Sequence, residues 1–274
     1  MGSGIAYACA SNGYQVKLVE QNAELLQLGI RKIEELVRAG VEKGKISADQ
    51  ASDINARVKG MLQLRDAAQD ADLLLEAVYE DLDLKKKIFT QAREVCPSKT
   101  ILATNTSSLS IAELASASTH PDRFLGIHFF NPPAAMKLVE IVQGPDTSQA
   151  TVEIAKAFVE SLGKQWVLAK DSPGFIVNRL LIPMLNEAAC IVQGQIASIE
   201  DVDKAMVIGA GMPIGPLALS DIIGIDILQS IMENLERKLG SKYSPCPLLR
   251  EKIRKKQLGK KSGLGYYNYV EKRS

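Results

Sequence analysis

Apolar and polar residues follow different patterns on the two sides of residue 170. Up to that point, short apolar runs alternate with stretches of helical period, which is typical of a sheet covered by helices. The apolar runs predict strands at 16–20, 72–78, 100–104, 124–129, 137–142 and 165–169. Helices are predicted at 5–10, 81–95, 110–117 and 148–162. We therefore expect residues 1–170 to form an α/β domain with a doubly wound sheet.

A helical hairpin is predicted inside this domain, at residues 22–58. Gly44 interrupts a charged helix at 23–43, and Ser47 with Gln50 three positions later indicates the capped start of a second helix. Basic residues of the hairpin, including Lys43 and Lys45, are candidates for phosphate contacts. A run of charges is, however, more often a solvated helix face.

Residues 171–274 are expected to form a second, mostly helical domain. Helical period returns four times, and one apolar run at the end predicts a strand at 265–269. The helices are predicted at 175–193, 199–208, 216–238 and 247–256. Apolar stretches at 217–219 and 222–225 fit either a core or a subunit interface, and we expect a homodimer.

Composition excludes several classes of function. Lysine plus arginine number 33 and aspartate plus glutamate 32, so no global charge points to nucleic acid or to a membrane surface. The four cysteines include no C-x-x-C pair, which argues against a zinc site and a disulfide framework. No apolar run reaches the roughly 20 residues that span a bilayer. We expect no metal and a cytoplasmic protein, or a mitochondrial matrix protein if the source is eukaryotic.

One of the two histidines, His128, lies near the end of the apolar run 124–129. Asn131-Pro132 must end this strand because proline cannot donate to a ladder, so His128 is expected at the carboxyl edge of the sheet, where open α/β sheets bind ligands. Glu140 shares a strand face with apolar neighbours, and a buried carboxylate needs a partner such as an imidazolium. Taken alone, a capped strand and a solvated carboxylate would explain both residues.

Seven motifs in register make the whole chain resemble the 3-hydroxyacyl-CoA dehydrogenase family, and most closely its short 3-hydroxybutyryl-CoA dehydrogenases. The motifs are Met1-Gly2-Ser3-Gly4-Ile5-Ala6, Leu75-Glu76-Ala77-Val78, Thr104-Asn105-Thr106-Ser107-Ser108-Leu109, His128-Phe129-Phe130-Asn131-Pro132, Pro173-Gly174-Phe175-Ile176-Val177-Asn178-Arg179, Gly215-Pro216 and Gly259-Lys260-Lys261-Ser262-Gly263. The resemblance implies reversible oxidation of a short-chain 3-hydroxyacyl-CoA to the 3-ketoacyl-CoA, with NAD as the hydride acceptor, in fatty-acid or butanoate metabolism.

The resemblance also implies roles for individual residues. His128 would be the general base and Glu140 the carboxylate that orients it, while Ser107 and Asn178 would hydrogen-bond the substrate. The residues implied at the cofactor are Gly2, Glu20, Glu80, Lys85, Ser107, Asn131 and Lys261. Ser107 would also contact the CoA part, and Lys43 and Lys45 of the hairpin are candidates for its phosphates because of their charge. Glu20 ends a predicted strand, where a carboxylate accepts hydrogen bonds from ribose hydroxyls and disfavours a 2′-phosphate, so NAD is expected over NADP.

The start of the chain departs from the family pattern. A Rossmann-type fold begins with a strand and a G-x-G-x-x-G turn, and Met1-Gly2 falls at the last two positions of that turn. We therefore expect a sheet that lacks its first, central strand and the first two glycines. Either the chain given starts late relative to the working protein, or it is a damaged copy; the intact remaining motifs favour the former.

Three interpretations of function stay open at this point. The first is the NAD-dependent dehydrogenase of a CoA ester. The second is a non-catalytic member of the family, crystallin-like or truncated, that cannot bind NAD. The third is a relative that oxidises a free hydroxy acid or carnitine.

Overall fold

A computed structural model describes residues 1–270, which divide into two compact units, Met1–Ser172 and a second that starts at Pro173. The first unit mixes strands and helices as the apolar pattern predicts. Its strands are β1 (Val16–Val19), β2 (Val58–Met61), β3 (Leu73–Glu76), β4 (Ile101–Thr104), β5 (Phe124–Phe129), β6 (Leu138–Gln143) and β7 (Gln165–Lys170). Its helices are α1 (Gly2–Ser11), α2 (Ala23–Glu42), α3 (Ala48–Arg57), α4 (Leu64–Ala68), α5 (Leu82–Ala92), α6 (Ile111–Ala115) and α7 (Gln149–Ser161).

The strands of this unit form two sheets. β1 pairs in parallel with β2, and the larger sheet has the order β3-β4-β5-β6-β7. Within the larger sheet only β5 and β6 are antiparallel. β4 and β5 are buried along their whole length, since helices cover a doubly wound sheet on both faces. This explains why both strands are continuous apolar runs in the sequence.

The helical hairpin is formed by α2 and α3 as predicted. Ser47 and Gln50 form the reciprocal capping box at the start of α3, and Gly44 takes a positive φ of 64° in the turn. Asn22 is the N-cap of α2 and Val58 the C-cap of α3, so the two helices with their caps span residues 22–58, and Val58 is also the first residue of β2. A Cβ added at Gly60 of β2 would lie 3.0 Å from Ile30 of α2, so the helix packs closely on this strand.

Both β2 and α4 are absent from the sequence prediction. β2 has four residues, Val58-Lys59-Gly60-Met61, of which one is charged and one is glycine. Such a segment has little intrinsic preference for a strand, and it forms one by pairing with the distant β1. Tertiary pairing, which no local pattern records, therefore decides its structure.

The division into two sheets is the one expected for a doubly wound sheet without its central first strand. Among residues 1–270, β1 pairs only with β2 on one side, and β3 pairs only with β4. A cavity of about 280 Å³ is lined by Tyr14, which precedes β1, and by Leu73 of β3 and Phe158 of α7. The rings of Tyr14 and Phe158 meet edge to face, with centroids 5.4 Å apart. The start of β3 and the residues just before β1 thus lie beside apolar space.

The second unit is helical. Its helices are α8 (Val177–Gln193), α9 (Ile199–Ala210), α10 (Pro216–Ile223), α11 (Ile225–Leu239) and α12 (Pro247–Arg254). Their apolar sides share one core that includes Leu185, Leu217, Leu228 and Leu249.

Two predictions for this unit are wrong. The single helix predicted at 216–238 is divided at Gly224, whose φ of 105° is incompatible with a continuing helix. The strand predicted at 265–269 does not form: the region holds two isolated bridges, and the backbone N–H groups of Tyr266 and Tyr267 donate to the carboxylate of Asp221. A buried side chain thus replaces the strand partner.

We expect an apolar strand with a Gly-x-Gly turn, fused in front of Gly2, to stabilise the first unit. Burial of two Val or Ile side chains contributes about 1.5–3 kcal/mol each, which corresponds to a rise of roughly 10 °C in melting temperature. Calorimetry would measure this rise. The control carries proline at alternate positions of the added segment, because proline cannot pair. Equal melting temperatures for the two fusions would contradict the expectation.

Candidate active site

The centre of the site is a hydrogen bond between His128 on β5 and Glu140 on β6. The antiparallel register places these two residues directly opposite each other, and His128 Nδ1 lies 2.7 Å from Glu140 Oε2. His128 is 6 % exposed and Glu140 is fully buried. The ring of Phe130 lies against the imidazole, with centroids 4.6 Å apart. The pair is therefore held inside the sheet.

The tautomer of the imidazole depends on the state of this carboxylate. An ionised Glu140 only accepts hydrogen bonds, and Nδ1 then carries the proton while Nε2 is the ring atom that can accept one. Once the ring takes a second proton, the adjacent carboxylate stabilises the imidazolium. A pair arranged in this way can serve as a general base with the carboxylate that orients it.

The loop after β4 lies at the same sheet edge as His128. β3, β4 and β5 are parallel, so their carboxyl ends meet at one edge. The backbone N–H of Phe129 donates to Asn105 Oδ1 at 2.8 Å, and the N–H of Asn105 donates to the carbonyl of Glu76 at 2.8 Å. Asn105 thus ties the end of β5 to the end of β3. The loop it starts carries Ser107.

Glu80, predicted to lie at the cofactor, holds this loop. Its Oε1 accepts hydrogen bonds from the Thr106 hydroxyl at 2.5 Å, the Ser107 N–H at 2.9 Å and the Ser108 N–H at 3.0 Å. Burial raises the pKa of Glu80, but the Thr106 bond, the Lys85 charge and the Ser107 and Ser108 donors outweigh it and lower the pKa below its ordinary value.

Lys85, also predicted at the cofactor, is buried in an ion pair. It is 1 % exposed, and its Nζ lies 2.7 Å from Glu76 Oε1 and 3.4 Å from Glu80 Oε2. Glu76, 3 % exposed, also accepts from the Thr104 hydroxyl at 2.7 Å and the Val78 N–H at 2.6 Å. The sequence assigned no role to Glu76. A carboxylate at the end of the apolar run Leu73-Leu74-Leu75 was the available signal.

The start of α1 and the end of β1 have the features of a dinucleotide site. A Cβ added at Gly2 would meet no atom within 4 Å, which leaves room for a ligand to approach the backbone at the helix N-terminus. A Cβ added at Gly4 would lie 3.0 Å from Pro133, so α1 packs against the loop that follows β5. Glu20 directly follows β1. These residues fit a bound NAD.

Charge is concentrated at this helix N-terminus. Burial, and then the charge of Lys32, lower the pKa of the Met1 amino group, whereas Glu20 opposes this shift. An acidic and a basic side chain therefore both act at the start of α1. Asn131, predicted at the cofactor, is exposed in the loop after β5.

The remaining predicted residues lie elsewhere in the two units. Lys43 and Lys45 are exposed in the turn between α2 and α3. In the second unit, Asn178 lies in the first turn of α8, and Lys261 Nζ pairs with the carboxylate of Asp226 at 2.6 Å. The assignment of Asn178 and Lys261 to a ligand rests on the resemblance, and that of Lys43 and Lys45 on their charge and their place on the hairpin.

Comparison with known proteins places both units in one family. Residues 1–172 match the 3-hydroxyacyl-CoA dehydrogenase NAD binding domain, and residues 174–269 match the 3-hydroxyacyl-CoA dehydrogenase C-terminal domain. A probable 3-hydroxybutyryl-CoA dehydrogenase of Bacillus subtilis (strain 168) is 42 % identical over 275 residues, which cover 100 % of this chain and 96 % of that protein. A mitochondrial hydroxyacyl-coenzyme A dehydrogenase of Rattus norvegicus is 40 % identical, over 98 % of this chain and 88 % of that protein.

A solved structure agrees with the sequence matches. The (S)-3-hydroxybutyryl-CoA dehydrogenase from Ralstonia eutropha superimposes with a TM-score of 0.95 at 40 % identity, covering 99 % of this chain and 96 % of that one. The chain therefore belongs to the 3-hydroxyacyl-CoA dehydrogenase family, and its first unit is an NAD binding domain.

Two searches of residues 1–270 bear on other classes of site. Neither unit contains, in this range, a helix that is both long and apolar enough to cross a membrane. Nor do the same residues bring together three His, Cys, Asp or Glu side chains that could hold a metal ion.

The lowered pKa of Glu80 predicts a pH dependence of stability. A carboxyl group whose pKa is lower in the folded state stabilises the fold fully above its ordinary pKa of 4.5, and this contribution is lost as the pH falls through the lower folded value. Glu80→Gln removes the ionisable group. Denaturant unfolding should therefore show a stability difference between wild type and Glu80→Gln at pH 7 that shrinks below pH 4.5. A stability difference between the two proteins that does not change with pH would contradict the lowered pKa of Glu80.

Proposed function

We propose that this protein catalyses the reversible, NAD-dependent oxidation of a short-chain 3-hydroxyacyl-CoA to the 3-ketoacyl-CoA. The observation that supports this proposal is the buried pair of His128 Nδ1 and Glu140 Oε2, 2.7 Å apart at the carboxyl edge of the sheet of an NAD binding domain. The names of the relatives in Bacillus subtilis and Ralstonia eutropha favour a 3-hydroxybutyryl substrate.

In the proposed mechanism, His128 takes the proton of the 3-hydroxyl group on Nε2. Glu140 holds the ring through Nδ1 and stabilises the imidazolium that forms. Bound NAD would supply the acceptor for the hydride of the carbon that bears this hydroxyl group. In the reverse direction His128 returns the proton to the carbonyl oxygen. Ser107, in the loop held by Glu80, would donate to the substrate oxygen.

The proposed cofactor site consists of the start of α1 with Gly2, and of Glu20 after β1. The first turn of a helix offers backbone N–H groups to a pyrophosphate, and the carboxylate of Glu20 would accept hydrogen bonds from both ribose hydroxyls. The same carboxylate would repel a 2′-phosphate, which supports NAD over NADP. Asn131, after β5, is proposed near the nicotinamide.

Lys43 and Lys45 are proposed to meet the phosphates of CoA, since both are exposed at the end of the helical hairpin. We also propose that the second unit forms a homodimer, because its helices expose large apolar side chains that a partner would bury. Leu180 is 71 % exposed, Ile208 74 % and Ile222 55 %. A role in fatty-acid or butanoate metabolism, in the cytoplasm or the mitochondrial matrix, follows from the proposed substrate.

The proposed activity is tested with acetoacetyl-CoA and NADH by following nicotinamide absorbance. We expect turnover, and the rate of 3-hydroxybutyryl-CoA oxidation should exceed that of free 3-hydroxybutyrate at least about 100-fold, because binding energy from the carrier is used at the reacting carbon. The chain should be assayed both as it stands and with the added strand described above. Absence of turnover in both proteins, while folded, would favour the non-catalytic alternative. Equal rates on the CoA ester and the free acid would favour a relative that oxidises a free hydroxy acid or carnitine.

Substitution of the central pair separates its two roles. His128→Ala should lower kcat about 10²- to 10⁴-fold, the range of general base catalysis. Glu140→Gln should also lower kcat strongly and leave the affinity for NADH nearly unchanged, since a neutral amide cannot stabilise the imidazolium. The matched controls are His120→Ala, at the second histidine, and Glu35→Gln on the exposed face of α2. Normal turnover in Glu140→Gln would reduce Glu140 to a packing role.

A further inference from the structure

A buried charged network lies at the ends of β3 and β4, beside the His128 pair. It contains Glu76 at the end of β3, Lys85 early in α5 and Glu80 between them in the chain. The Glu76 and Lys85 side chains are each 1 % exposed, whereas the Glu80 side chain is 36 % exposed. The network therefore runs from the interior of the first unit toward its surface.

Lys85 connects the two carboxylates of this network. Glu76 Oε1 accepts a hydrogen bond from Lys85 Nζ at 2.7 Å, and Glu80 Oε2 forms an ion pair with the same Nζ at 3.4 Å. The other oxygen of Glu80, Oε1, accepts from the backbone N–H groups of Ser107 and Ser108. Each carboxylate thus uses one oxygen on Lys85. A single cation links the buried strand end to the loop that carries Ser107.

The inner end of the network is fixed by backbone and side-chain donors. Glu76 Oε2 accepts from the hydroxyl of Thr104, which lies opposite it in the β3–β4 register. The same hydroxyl accepts from the Thr106 N–H at 3.2 Å. Thr106 is fully buried, and its own hydroxyl donates to Glu80 at 2.5 Å and accepts from the Leu109 N–H at 2.9 Å. The turn from 104 to 109 is therefore held at both ends by carboxylates.

Burial of such a charged network costs free energy. Two buried charges lose their hydration, and an apolar pair of similar volume often stabilises a fold as well or better. What an apolar pair cannot do is fix the direction of backbone N–H groups. Fully satisfied buried polar networks restrict local structure to one arrangement. The network contacts the Ser107 N–H through Glu80 Oε1, so the arrangement it restricts is that of the loop that carries Ser107.

We propose that Glu80 is a positioning residue that sets Ser107 for the reaction, and that the buried Glu76–Lys85 pair anchors it. This inference rests on the proposed function, in which Ser107 contacts the substrate. Glu80 acts on the loop directly, because its Oε1 accepts from the Ser107 and Ser108 N–H groups while its Oε2 forms an ion pair with Lys85 Nζ. Glu76, which the resemblance left without a role, holds Lys85, and Lys85 in turn contacts Glu80.

A double-mutant cycle tests this inference. Glu80→Ala is expected to lower kcat/KM for acetoacetyl-CoA at least tenfold, and Ser107→Ala to lower it by a similar factor. In the Ser107→Ala background, the further loss from Glu80→Ala should be threefold or less, because the group that Glu80 positions is already absent. Glu76→Gln should follow the same pattern with a smaller loss. Equal fold-losses in both backgrounds would overturn the proposal, as would a Ser107→Ala variant with full activity.

Asp83→Asn is the control for the loss of a negative charge, since Asp83 is exposed in the first turn of α5. It should leave kcat/KM unchanged within twofold; a larger loss would show that charge near α5, and not the loop contact, explains the Glu80 effect. Circular dichroism confirms that each variant is folded. If Glu76→Gln does not fold, Thr104→Val removes the hydroxyl that donates to Glu76 and takes its place in the cycle.

Hydrogen exchange distinguishes failure of this inference from failure of the proposed function. The amides of Ser107 and Ser108 should exchange at least tenfold faster in Glu80→Ala than in wild type, whereas amides of β7 should be unaffected. This result is independent of turnover. If the wild type is inactive, the proposed reaction is wrong. The exchange rates of the Ser107 and Ser108 amides still show whether Glu80 holds the loop. Unchanged exchange at both serines would overturn the positioning role.

Discussion

The antiparallel pairing of β5 with β6 is the contact on which the rest of the site depends. Side chains alternate along a strand, so a shift of one residue in this register would move Glu140 to the other face and separate it from His128. The register is secured by apolar residues on both strands, including Ile127, Val139 and Ile141, which are fully buried. The core thereby specifies the chemistry, since the packing that stabilises the sheet also places the base against its carboxylate.

A second constraint is the burial of charge at the carboxyl ends of the parallel strands. β3 ends in Glu76 and β5 carries His128, and both side chains are almost entirely removed from water. Each must therefore have a polar partner within the first unit. The partners are Lys85 and Glu140, which come from the next elements along the chain. Each of these side chains is thereby oriented by its partner, and fixed orientation is what the proposed proton transfer needs.

The fold was predictable where local pattern and tertiary environment agree. β4 and β5 are buried on both faces, so their apolar runs stand out, and Ser47 with Gln50 identifies the start of α3 from two residues. β2 escaped prediction because its strand state comes from a partner 42 residues away in the chain, as in the pair Val16 and Val58. The break at Gly224 was missed because a glycine inside a helical pattern is usually tolerated.

The same distinction applies to the site. His128 and Glu140 could be paired from sequence because one turn joins adjacent strands, and the alternation of apolar residues gives the face of each side chain. The network around Glu80 could not be predicted from the sequence, since it joins the end of β3, the start of α5 and the loop after β4. Nothing local indicates that a lysine among three consecutive lysines, Lys85-Lys86-Lys87, is the buried one.

The packing of α1 has a consequence for ligand binding. Ala6 and Ala10 of this helix belong to the apolar cluster that contains Leu18 of β1 and Leu26 of α2. Ile5, on the other side, belongs to the core of the larger sheet together with Ile101 and Leu125. One helix therefore joins the two sheets that no strand pair connects within the described residues. The proposed pyrophosphate site lies at the start of this helix, so the packing that joins the sheets also preorganises the backbone N–H groups offered to the cofactor.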